Sequence, residues 1–214
     1  MKYLRKFATE ADVNMSVVPN VVLAEDTGKI VYNALNGVFI QHIDGTLYTT
    51  DEWTAGGFTN DQANGVAVGN GVVRFVVAKT QFTSVKWSAT ASLIEGVLVT
   101  DDQNIAKTDY AGITNTKIIA RNDTIGAAYI CANYIFPNGK KGYLPSYGEL
   151  YLAYQKSNAI RTAMNLIGGV TLNQDYWSST QVSATEAWGY RFSWNDVTNW
   201  GKTSTSAALP FTTL

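Results

Sequence analysis

Few side chains in this 214-residue chain are suited to bond-making chemistry, and their spacing argues against it. His42 and Cys131 are each the single residue of their kind, so a metal centre built from several histidines or cysteines is excluded, as is an intrachain disulfide. His42 follows Gln41 in a strand-like run without an accompanying acid or nucleophile motif and reads as structural. Cys131 lies on an apolar helical background and reads as a small buried hydrophobe. Across residues 171–200 only Asp175, Glu186 and Asp196 carry carboxylates. Calcium takes roughly six to eight oxygens, so Trp194-Asn195-Asp196 reads as a hairpin turn. Gly69-Asn70-Gly71 and Gly168-Gly169 read as a turn and a helix stop, not as a phosphate cradle. The expectation is no catalytic residue, no metal and no cofactor.

What the chain does concentrate is aromatic residues. Residues 176–211 hold four of the six tryptophans. From Ala187 to Trp194 the chain alternates, with Trp188, Tyr190, Phe192 and Trp194 on one side of an extended strand and Gly189, Arg191 and Ser193 on the other. One side can bury and the other can face a partner. Aromatics among small hydroxyl and amide side chains, with little charge, make up the composition of a recognition surface.

The elements that must position this stretch are also written in the sequence. Only 15% of residues are charged and 46% are apolar, which is enough for one main core and argues against bulk disorder. A net charge of −1 gives no electrostatic means of capturing nucleic acid or an anionic membrane. Lys2, Arg5 and Lys6 are followed by Glu10, Asp12 and Asn14 where a signal peptide needs its apolar run, and no stretch reaches the ~20 apolar residues of a membrane span. Cytosolic synthesis without membrane insertion follows.

Residues 1–36 are too short for a core of their own; they read as an attachment or oligomerisation segment, or as plain N-terminal packing. Residues 38–43 and 46–50 flank Asp44-Gly45 as a hairpin, and residues 65–68 and 72–78 form a second one. Residues 51–64 and 108–116 read as loops. A first helix is expected from Asp123-Thr124, with Ile125, Ala128, Tyr129 and Ala132 on one face. The second is the clearest. Ser146-Tyr147-Gly148-Glu149 fits a capping box, Tyr147, Leu150, Tyr151 and Tyr154 mark one face, and the pattern resumes at Ile160, Ala163, Met164 and Ile167 after a polar break at Ser157-Asn158. The whole is an α+β pattern with helices inserted among antiparallel strands.

The order of motifs has a resemblance. Asn115-Thr116, the helix around residues 127–134, Gly142-Tyr143-Leu144-Pro145-Ser146 with Gly148-Glu149-Leu150, Tyr176-Trp177-Ser178-Ser179-Thr180, and Ala187-Trp188 with Phe192 resemble the C-type-lectin-like domain of Lcl-type collagen-like proteins and of prophage tail proteins, including relatives of the phage major tropism determinant. The resemblance spans residues 37–214. It implies a C-type-lectin-like fold displaying a surface that a retroelement diversifies, with Trp177, Trp188, Tyr190 and Phe192 in the core. The ligand contacts it implies are Gln181, Ser183, Thr185, Gly189, Arg191, Ser193, Trp194, Asn195, Asp196, Val197, Asn199 and Trp200, with the two tryptophans exposed or at the rim. Trp194-Asn195-Asp196 matches the calcium-ligating triplet of sugar-binding C-type lectins, but the partner triplet is missing from the preceding loop.

The expected role is therefore a non-enzymatic receptor-binding protein of a phage or prophage tail. Its partner would be a cell-surface protein or glycan, and it would act on the virion tail or at the cell exterior, with homo-oligomerisation through residues 1–36 as a further expectation. The alternatives are a carbohydrate-binding lectin domain of a bacterial adhesin and a purely structural virion component.

Overall fold

The central strand of one sheet shows how the architecture is set. In Ala63–Asn70 (β5) every residue but the last is buried, which requires a neighbour on each edge and cover on both faces. Our computed structural model of the chain describes residues 22–23, 30–31, 35–193 and 196–214. Within them, Val22–Leu23 (β1) and Ile30–Val31 (β2) form a two-stranded antiparallel ladder. The rest of residues 1–34, on which the attachment reading falls, lies outside the described residues.

The first large sheet contains Asn36–His42 (β3), Leu47–Tyr48 (β4), β5, Arg74–Val77 (β6) and Phe211–Thr212 (β12), in the order β12-β6-β5-β3-β4 and antiparallel throughout. Both expected hairpins are here. The second sheet contains Phe82–Lys86 (β7), Asp175–Gln181 (β8), Glu186–Arg191 (β9), Asp196–Gly201 (β10) and Thr205–Ala208 (β11). Its order is β10-β9-β8-β11-β7, antiparallel except between β8 and β11. β10 is thus an edge strand.

Helices cover the sheets. Thr50–Ala55 (α1) occupies what the sequence reading takes for a loop; Thr49 and Glu52 form a capping box over it, and its single buried side chain is Trp53. Gln103–Ala106 (α2) follows. Gly112–Asn122 (α3), which begins inside the segment 108–116 read as a loop, and Ala127–Asn133 (α4) replace the one helix expected from Asp123. Asp123 is the divider. Its Oδ1 accepts from the amides of Ile125 and Gly126 at 2.8 and 2.9 Å, which favours a turn over a continuing helix. The buried face of α4 is Ala127, Ala128 and Cys131, while the expected face residue Ile125 is 63% exposed.

Tyr147–Gln155 (α5) and Ser157–Leu166 (α6) match the expected second helix and its break. Glu149 Oε2 accepts from the Ser146 amide at 2.8 Å, and Gly168 stops α6 at φ +66°. One apolar cluster packs α5 and α6 between the two sheets; a second packs α3, α4 and Trp87 on the far face of the second sheet. The second sheet is therefore covered on both sides over much of its area, with Tyr176 in one cluster and Trp177 in the other. Among the described residues no helix is long and apolar enough to cross a membrane.

Candidate functional site

The candidate surface is the β9–β10 hairpin at the sheet edge, and its register sorts its residues. Directly opposed residues of an antiparallel pair share a face. Asp196 opposes Arg191, Thr198 opposes Gly189 and Trp200 opposes Ala187, so these lie on one face; Asn199 opposes Trp188, on the other. The predicted surface therefore has two sides.

Beneath it the polar groups are paired. Trp177 Nε1 donates to the Val85 carbonyl at 2.8 Å, Trp87 Nε1 to the Ser178 carbonyl at 2.7 Å, and Trp188 Nε1 to the Thr100 carbonyl at 2.8 Å. Thr180 Oγ1 and Asn115 Nδ2 both donate to Asp109 Oδ2, at 2.7 and 3.0 Å. Glu149, accepting also from the Tyr143 hydroxyl at 3.0 Å, is pushed up to about 7 because burial disfavours its charge.

Two expected ligand contacts belong to this scaffold instead. Gln181 is fully enclosed: its Oε1 accepts from the Ile94 amide at 3.0 Å and Lys202 Nζ at 2.7 Å, and its Nε2 donates to the Ile94 carbonyl at 2.9 Å. It has no surface to offer. Gly189 is buried under the Trp200 indole, and a Cβ there would stand 2.1 Å from Trp200 Cζ3. The glycine makes room for the ring.

Lys202 is the residue that sequence reasoning missed. It is wholly buried, donates to the Ser92 carbonyl at 2.8 Å, and sits 4.6 Å above the Trp87 ring. Loss of hydration pulls its ammonium down to about 8. Its place after Trp200-Gly201 in a polar run gave no apolar periodicity from which burial could be read.

The remaining predicted residues divide further. Arg191 is half-buried between Asp175 Oδ2 at 3.4 Å and Asp196 Oδ2 at 3.9 Å, with its Cζ 5.7 Å from the Trp200 ring; its Nε is enclosed without a hydrogen-bond partner. Burial raises the Asp175 carboxyl and Arg191 opposes that rise. Trp200 is half-buried, edge-on to Trp177 at 5.2 Å, a rim position. Ser193 and Asp196 are exposed, as is Asn199. Ser193 donates to the Asn173 carbonyl. Ser183 and Thr185 form the β8–β9 turn, where Ser183 Oγ accepts from the Thr185 and Glu186 amides at 3.1 Å each. That turn is at the opposite end of β9, so these two do not join Arg191 and Asp196. Trp194, Asn195 and the side chain of Val197 lie outside the described residues.

Among the described residues no three His, Cys, Asp or Glu side chains are grouped to hold a metal ion. The Cys131 thiol is buried and pushed up by that burial. His42 packs among Tyr48, Trp53 and Phe58 at 5.5 to 6.3 Å.

Fold and surface together define an α+β protein of two five-stranded sheets with a polar hairpin at one sheet edge. In fold it is similar to a fimbrial protein from Bacteroides ovatus ATCC 8483, known from a crystal structure, with a TM-score of 0.58 and 16% identity over 84% of this chain and 49% of that one. The chain thus spans about half the length of that protein, and at this identity the likeness is one of fold. No family model and no curated protein matches the chain.

Proposed function

We propose that this chain is a non-enzymatic ligand-binding protein of a cell or virion surface, and that the β9–β10 edge is its binding surface. The observation that carries this reading is the contrast in polar pairing. Gln181, Lys202 and Asp109 beneath the hairpin are paired, while Asp196 and Asn199 on the edge strand β10 are exposed and Arg191 on the adjoining β9 is half-buried between the Asp175 and Asp196 carboxylates. Polar groups left to solvent on a rigid support suit recognition at low entropic cost. The fold likeness to a fimbrial protein supports a surface location for this chain as well.

Within that reading we place a C-type-lectin-like display domain over residues 37–214. In support, Trp188, Tyr190 and Phe192 are core while Ser193, Asp196 and Asn199 are exposed. The residues carrying the resemblance, Asn115, Thr116, Ser146, Glu149 and Thr180, all lie in buried hydrogen bonds. A phage or prophage tail and a bacterial adhesin are both surfaces on which such a domain would work. A panel of bacterial and host cells incubated with the labelled chain tests the reading. Binding to at least one cell type, lost in the Arg191→Ala, Asn199→Ala double variant at unchanged folding, is expected; no binding to any cell would favour the purely structural role.

A further inference from the structure

The root of the β9–β10 tip is strapped by the chain that leads into β8. Residues 172–175 meet residues 191–193 one after another. The Leu172 and Phe192 carbonyls accept from the same nitrogen, Arg161 Nη2 of α6, at 2.9 and 3.1 Å. The Asn173 carbonyl accepts from Ser193 Oγ, and the Gln174 carbonyl from the Phe192 amide at 3.3 Å. Asp175 Oδ2 lies 3.4 Å from Arg191 Nε.

The brace among these contacts is Arg161, which belongs to neither segment. It is half-buried and forms no ion pair among the described residues; its Nη2 joins one carbonyl of each segment instead. A guanidinium presents its donors in a fixed plane, so two acceptors on one nitrogen are held at a set separation. Leu172 is buried and stands at φ +50°, a left-handed conformation that is unfavourable for a residue with a bulky side chain and persists only where the surroundings impose it. Its carbonyl is the one that Arg161 takes. Arg191 directly precedes Phe192, and Asp196 opposes Arg191 in the ladder. The braced Phe192 carbonyl therefore belongs to the residue next to the charged pair assigned above to the binding surface.

We infer that Arg161 is a positioning residue for the binding surface, a step that rests on the ligand-display reading above. By holding the Leu172 and Phe192 carbonyls together it fixes the strap against the root of the tip, and with it the direction in which Arg191 and Asp196 are presented. It touches no ligand itself. A turn held in its binding shape beforehand loses less entropy on association than one that must be ordered at that moment. Arg161 therefore acts on affinity more than on folding: it is half-buried, so the space it leaves on truncation opens to solvent and water can serve the two carbonyls.

The test is amide hydrogen exchange of the full chain, read by NMR, beside the adhesion assay. Arg161→Ala should speed exchange of the Phe192 amide about tenfold, the size of one lost hydrogen bond to a charged group, and leave the amides of residues 177–180 in β8 at their wild-type rates. The same variant should bind the cell type that the wild-type chain binds about tenfold more weakly, with a fall in melting temperature of no more than about 4 °C. Arg161→Lys keeps the charge and most of the stem but lacks the planar fork, so it should behave as Arg161→Ala does. Recovery of both exchange and adhesion by the lysine would assign the residue a packing or charge role and overturn the inference. A Phe192 amide that exchanges at the wild-type rate in Arg161→Ala, or full adhesion by that variant despite faster exchange, would overturn it equally. If exchange is faster and the wild-type chain binds no cell, the brace stands and the display reading fails.

Discussion

The base and the tip of the second sheet use the same kinds of polar residue in opposite ways. At the base, Gln181 and Lys202 sit in a shell of carbonyls and amides, with each donor aimed at an acceptor. At the tip, Arg191 is held loosely between two carboxylates, and Ser193, Asp196 and Asn199 face solvent. Buried pairing fixes the backbone; exposed polarity leaves it free to meet something else. The difference teaches that a residue type alone does not mark a binding surface, because a glutamine and a lysine at the base are as polar as an arginine at the tip.

Breaking the base should cost the most. Gln181→Ala strands the Lys202 ammonium and the Ile94 backbone groups, and urea unfolding should show a loss of about 3 kcal/mol. Gly189→Ala drives a methyl into the Trp200 ring, and a smaller loss of about 2 kcal/mol is expected, with a shift in tryptophan emission as that indole moves. Equality of either variant with the wild type would mean that this packing does not support the hairpin.

The base also predicts a pH dependence. Glu149 is raised from 4.5 to about 7, so its contribution to stability is full below about 4.5 and is lost as pH rises through about 7. Lys202 is lowered from 10.5 to about 8, so its contribution is present above about 10.5 and is lost as pH falls through about 8. Melting temperatures recorded from pH 4.5 to 7.5 should therefore fall with rising pH, and Glu149→Gln should flatten that fall. The smallest effect belongs to the tip: Asp196→Asn should shift stability by no more than about 0.5 kcal/mol.

Much of this division is legible in the sequence, and the rest is hidden for physical reasons. Alternation in β9 gives the correct core residues because one face of a strand meets α5. It fails at Gly189, because the second sheet is covered on both sides and alternation assumes a solvated face. Gln181 is hidden likewise: nothing local distinguishes a buried amide from a displayed one. The α5–α6 pair is legible through the Ser146–Glu149 cap. α1 is not, because its polar run holds one buried residue, Trp53, too few to show a period, although Thr49 and Glu52 carry the cap signal. Asp123 reads as the cap of one helix but divides two. The tyrosines of α5 are legible as a helix face, yet only the fold shows that they pack against Trp188 and Tyr190 of β9.

The account stands or falls on whether the tip binds while the base only supports. Adhesion of the labelled chain to the cell panel, measured beside melting temperature, tests this most directly. The Arg191→Ala, Asn199→Ala double variant is expected to lose binding about tenfold or more with little change in melting. Full adhesion by that folded variant would contradict the account.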